Sequence, residues 1–118
     1  MNIIFSRYNN ILIAAPNGDL DHHNIEKHRQ ETDRHFKLSN SRSIIFDLKG
    51  VTFIDSSGIG YILGRYKQSL FAGGKTCFVN VPNHIKRLLS VSGLLKIIDV
   101  YPSIDEAISA IQRKGEKR

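Results

Sequence analysis

Short apolar runs alternate with amphipathic helical stripes along most of this chain, and that alternation constrains the fold more than any other feature. Ser43-Ile44-Ile45-Phe46-Asp47-Leu48 and Thr76–Val81 have strand length and are apolar enough to be buried on both faces. Between them, Ile59, Ile62, Leu63, Tyr66 and Leu70 recur with helical spacing. Ile85, Leu88 and Leu89 make a second stripe, ended by Gly93. Ile104, Ala107, Ile108 and Ile111 make another, opened by Ser103 and Glu106 in a Ser-x-x-Glu capping box. Ile97–Tyr101 is a further expected strand. Strands separated by helices require parallel crossovers, and so a central sheet with helices packed on it.

The N-terminal part adds an antiparallel element. Asn2–Tyr8 and Ile11–Ala15 are strand-like, and Asn9-Asn10 between them tolerates the positive φ of a two-residue turn. Pro16-Asn17-Gly18 is expected to stop the second strand. Residues 21–38 read as a thinly apolar surface helix capped by Asp21, with Ile25, Phe36 and Leu38 facing inward. Val51–Ile54 is extended. Pro82 suits the first position of a helix. The expected order is β-β-α-β-α-β-α-β-α, an α/β single domain with a mixed sheet, an N-terminal hairpin and about four helices. Residues 1–112 form the domain, and 113–118 are a basic tail expected to fray.

A chain of 118 residues has room for one core. Its apolar runs are far too short to cross a membrane, and the N-terminus lacks a signal-peptide pattern, so a cytoplasmic setting is expected. The single cysteine, Cys77, lies in the run Thr76–Val79 and reads as a small buried strand residue. Net charge is +6. Half of that excess sits in the last six residues, and no nucleic-acid-binding motif accompanies it, so no direct nucleic-acid partner is expected. The remaining basic cluster is Arg65, Lys67, Lys75, Lys86 and Arg87. His22, His23, His28 and His35 lack the spacing of metal ligands and read as surface or cap histidines, so no metal is expected. Gly73-Gly74-Lys75-Thr76 lacks the upstream glycine of a phosphate loop and leads from helix into strand, the wrong way round. Ser57 lacks both glycines of a hydrolase nucleophile elbow.

Asp55-Ser56-Ser57-Gly58-Ile59-Gly60 carries most of the chemistry. It lies where a strand ends and a helix begins, among backbone N–H groups without partners and at the positive end of the helix dipole. Asp55 reads as the cap. A second serine followed by two glycines needs another reason, because each glycine costs roughly 1 kcal/mol of helix propensity. Small neighbours would leave the Ser57 hydroxyl open to another protein. A phosphate- or nucleotide-binding enzyme using the same helix end is the rival reading.

Phe53-Ile54-Asp55-Ser56-Ser57-Gly58-Ile59-Gly60 resembles the signature of the STAS family. Gly18-Asp19-Leu20-Asp21-His22-His23, Ile62–Gln68 and Ser92–Ile98 resemble its bacterial anti-sigma factor antagonists, of the sporulation subgroup, with Asp19 where that family often has Glu. The resemblance implies a cycle of partner exchange. The unphosphorylated antagonist binds an anti-sigma factor that is also a serine kinase, which indirectly frees a sigma factor. The kinase, which holds the ATP, phosphorylates Ser57, and a serine phosphatase reverses the modification. It implies a binding module rather than an enzyme, with no cofactor of its own. Asp21, His22, Asp55, Ser56, Ser57, Gly58 and Ile59 are the implied partner-binding residues. An antagonist serving a stress-response sigma pathway is the alternative within the family.

Overall fold

The computed structural model describes residues 2–116. In chain order the elements are β1 (Ile3–Tyr8), β2 (Ile11–Pro16), β3 (Gly18–Leu20), α1 (Ile25–Leu38), β4 (Ser43–Asp47), β5 (Val51–Ile54), α2 (Ser56–Phe71), β6 (Thr76–Val79), α3 (Asn83–Ser92), a 3-10 turn (Leu94–Lys96), β7 (Asp99–Tyr101) and α4 (Ile104–Glu116). The main sheet runs β1-β2-β4-β6-β7. Its β1–β2 hairpin is antiparallel, closed by Tyr8 opposite Ile11, with Asn9 at φ 53° in the turn. The other three pairings are parallel.

The period of two along each strand divides the core between the sheet faces. Leu12, Ile44, Phe46 and Phe78 belong to one cluster, which α1, α2 and α3 cover with Ile25, Tyr61, Ile62, Ile85 and Leu89. Ile11, Ile13, Ile45, Cys77 and Val79 belong to the other, covered by α4 through Ile104, Ala107 and Ile108. Every residue of β4 and β6 is buried, as their unbroken apolar runs demand. Cys77 is one of them, buried in β6.

Several local expectations need correction. Strand β2 ends at Pro16, as expected, but the strand that follows it was not foreseen. Gly18, at φ 90°, redirects the chain into β3, which pairs in parallel with β5 as a separate two-stranded ribbon. Helix α1 begins at Ile25 with Asn24 at its cap position, not at Asp21. The reason is local. Asp21 Oδ1 accepts from the His23 and Asn24 amides and from Asn24 Nδ2, which closes a turn before the helix can start. Pro82 is the cap of α3 rather than its first helical residue, in extended geometry. The last strand is shortened to Asp99–Tyr101 by the 3-10 turn before it. Helix α4 continues to Glu116, so the backbone of 113–116 is helical where a frayed tail was expected. The rest of that tail, Lys117 and Arg118, lies outside the described residues. Ser103 Oγ accepts from the Glu106 amide, the serine half of the capping box. Among the described residues no helix is long and apolar enough to cross a membrane.

Candidate functional site

The ribbon β3–β5 places the site. Its register sets Leu20 opposite Ile54. The next residues on the two strands, Asp21-His22 and Asp55-Ser56, therefore leave from adjacent points. Gly58 permits this close approach. A Cβ there would stand 2.2 Å from the Leu20 carbonyl oxygen and 2.8 Å from Ile54 Cγ2. Gly58 is thus buried and serves packing rather than exposing Ser57, contrary to the expectation from sequence. Gly60 has open space around it and is exposed.

Asp55 holds the site together. Its Oδ1 accepts from the Ser57 amide at 2.8 Å and the Gly58 amide at 3.1 Å, capping α2. Its Oδ2 accepts from the His22 amide at 3.1 Å, tying down the β3–α1 loop. Its own amide donates to the Leu20 carbonyl at 3.2 Å. Partial burial pushes the Asp55 carboxyl up, but the amides of His22, Gly58 and Ser57 outweigh it, and the pKa falls below the ordinary carboxylate value. The carboxylate is therefore charged near neutrality.

Asp21, His22, Asp55, Ser56, Ser57, Gly58 and Ile59 are thus brought into one patch. Ser56 and His22 are exposed, Asp21, Asp55, Ser57 and Ile59 half-buried, and Gly58 buried. Capping uses the backbone of Ser57, not its hydroxyl. The first turn of α2 carries no acidic side chain beyond the cap. Asp19 accepts from Thr52 Oγ1 across the ribbon at 2.6 Å, and a His84 ring nitrogen lies 3.1 Å from the Thr52 carbonyl. Sequence reasoning missed Phe53, which is 44% exposed on β5. In Val51–Ile54 only the two ends are buried, so no alternation marked Phe53 as outward-facing.

Two residues assigned to the surface are buried instead. Arg65 is 7% exposed, with Nε 3.1 Å from Asp33 Oδ1 and its guanidinium 5.5 Å from the centre of the Tyr61 ring. It belongs to the α1–α2 packing, not to a basic surface cluster. His28 is 2% exposed, and burial pushes its pKa down, partly offset by Glu31. Its neighbour Thr32 donates to the His28 carbonyl at 2.7 Å and bonds the Tyr61 hydroxyl at 2.8 Å. Among the described residues no cluster of three or more His, Cys, Asp or Glu could hold a metal ion.

A STAS-domain family model matches residues 2–107. The chain is 37% identical over 114 residues to the anti-sigma F factor antagonist of Paenibacillus polymyxa, covering 95% of this chain and 96% of that one. A crystal structure of a Thermotoga maritima protein described as a candidate anti-sigma factor antagonist superposes with a TM-score of 0.86 at 24% identity, covering 93% and 94% of the two chains. The antagonist SpoIIAA has this fold in two states. The unphosphorylated form gives a TM-score of 0.72 at 21% identity, over 94% of this chain and 98% of that one. The phosphorylated form, from Bacillus, gives 0.71 at 24%, over 93% and 99%.

Proposed function

The chain belongs to the STAS family, and from that premise we propose that it is an anti-sigma factor antagonist of the sporulation type, switched by phosphorylation of Ser57. The observation that carries this reading is the Asp55 carboxylate bonded at once to the α2 N-terminus and to the loop bearing Asp21 and His22. It makes one surface of residues 33 positions apart in the chain, with a serine at its centre. A relative 37% identical along nearly its whole length bears the sigma F name, which favours sporulation over a stress-response pathway.

In the proposed cycle the unphosphorylated surface docks on an anti-sigma factor that is a serine kinase, and a sigma factor is released. The Ser57 hydroxyl then takes the γ-phosphoryl group of ATP held by the kinase, and ADP remains with the kinase. The phosphoserine brings about −1.5 to −2 charges. Its position in the first turn of α2 suits the helix dipole, so the domain stays folded. Asp55, bonded to the Ser57 amide, lies beside it, and buried Arg65, bound to Asp33, is not available to neutralise it. The added charge and bulk therefore act on the partner's surface and separate the complex. A serine phosphatase restores the binding form.

The test is incubation with an anti-sigma F kinase and ATP, followed by mass spectrometry and a binding assay. One phosphate on Ser57 is expected, with Ser57→Ala binding but never released and Ser57→Asp binding poorly. Asp21→Ala should weaken binding without altering the melting temperature. Phosphate on Ser56, or ATP hydrolysis by the chain alone, would overturn the proposal.

A further inference from the structure

Helices α1 and α2 end side by side, roughly 22 Å from Ser57 at the rise of a 16-residue helix. Between their C-terminal turns lies a groove of about 560 Å³, walled by Phe36, Lys37, Gln68, Phe71 and Ala72. Phe71 in its wall is 94% exposed and shares the groove with half-buried Phe36, whereas the exposed Leu38 and Leu70 lie on the far sides of α1 and α2. An exposed aromatic side chain at the rim of a groove is apolar surface that a partner can cover.

Positive charge predominates around it. Lys37 stands in the groove wall. Arg7 reaches the end of α1, its Nη1 donating to the Ser39 carbonyl. Arg42 follows Ser41, a groove residue, and the Lys75 segment is pressed against it. A Cβ on Gly74 would lie 2.0 Å from the Arg42 carbonyl oxygen. All four cations are exposed. The acid in the groove wall, Asp33, is already shared between Arg65 and Arg29, at 3.1 and 3.7 Å.

We propose that this groove is a second docking site, for an acidic protein segment that carries a bulky apolar anchor. The anchor would enter between Phe36 and Phe71, and flanking carboxylates would meet Lys37, Arg42 and Lys75. Charge complementarity selects an acidic occupant. The concave shape between two helices favours a projecting side chain over a flat bilayer. Because the site is at the far end of α2, a partner there leaves the surface around Ser57 uncovered.

The probe is a fluorescein-labelled amphipathic peptide with Glu on one face and Leu and Phe on the other, beside its Lys-for-Glu counterpart. Fluorescence anisotropy should show binding of the acidic peptide alone, weakened about tenfold or more as salt rises from about 0.05 to 0.5 M. Phe71→Ser should weaken it about tenfold, as loss of a central anchor does, and Lys37→Glu with Lys75→Glu should abolish it. These residues are exposed, so unchanged melting temperatures will confirm folding. Ser57→Asp should leave the affinity unchanged. Equal binding of both peptides, no binding by the acidic one, or indifference to the Phe71 and lysine variants would overturn the proposal. So would Phe71-dependent binding to phosphatidylglycerol vesicles without peptide binding, or a Phe71-dependent dimer in sedimentation.

Discussion

Asp55→Asn separates the two tasks of one carboxylate. The helix end offers two amides to Oδ1, from Ser57 and Gly58, whereas the loop offers Oδ2 the single amide of His22. An asparagine has one carbonyl oxygen, and two donors outbid one, so that oxygen turns to the helix. Its NH2 group then faces the His22 N–H, donor against donor. Asn and Asp cap helices about equally well, so Asp55→Asn keeps the cap and should cost only the loop bond, about 1 kcal/mol. Asp55→Ala removes the cap as well and should cost about 1–2 kcal/mol more. In a chain of this size that is a further fall of roughly 3–10 °C in melting temperature. The loop bond, worth about 1 kcal/mol net, is lost in both variants. Amide exchange followed by NMR should therefore quicken about fivefold at His22 in Asp55→Asn, while Ser57 and Gly58 keep their protection. Unchanged exchange at His22 would refute the claim that Asp55 anchors the loop. A loss of stability as large as that of Asp55→Ala would refute the division of roles between its oxygens.

Gly58→Ala should destabilise by at least about 3 kcal/mol in chemical denaturation, since its Cβ would meet the Leu20 carbonyl at 2.2 Å, whereas Gly60→Ala, in open space, should stabilise by up to about 1 kcal/mol. Tyr61→Phe removes the hydrogen bond to Thr32 and should cost about 1 kcal/mol by the same assay, because Thr32 keeps its bond to the His28 carbonyl. Burial holds the His28 pKa below its ordinary 6.5, so the unfolded chain takes up that proton first as pH falls. The melting temperature should therefore drop as pH is lowered through about 6.5 towards the folded value, and His28→Leu should flatten that slope. Asp55, with its pKa shifted down, acts in a separate window: its contribution is present above the unfolded value near about 4 and disappears as pH falls through the folded one.

The parts legible in the sequence were those with a long periodic signal. The unbroken runs of β4 and β6, the stripe from Ile59 to Leu70, and the Asn9-Asn10 hairpin each carry their own evidence. The rest depended on partners distant in the chain. Three residues, Gly18–Leu20, are too few to show alternation, and β3 exists because β5 lies beside it. Arg65 looks like any helix-surface cation until Asp33 of α1 and Tyr61 close over it. The glycine at 58 was visible as a rule broken in a helix, but its reason, the Leu20 carbonyl, lies 38 residues upstream. Within the site, the serines and their cap could be read directly. The bond from His22 to Asp55 could not, because no local pattern encodes a contact between two loops.

The strand order β1-β2-β4-β6-β7 has a consequence for how the molecule is made. Each strand of the main sheet lies beside the one synthesised before it, and no later strand is inserted between two earlier ones. The hairpin, with its local pairing, can form first, in the microseconds typical of such turns. Each β-α unit that leaves the ribosome then finds an edge waiting for it. The sheet is thus built in one direction as the chain emerges, and only the ribbon β3–β5 must hold a strand in reserve, until β5 arrives to pair with it.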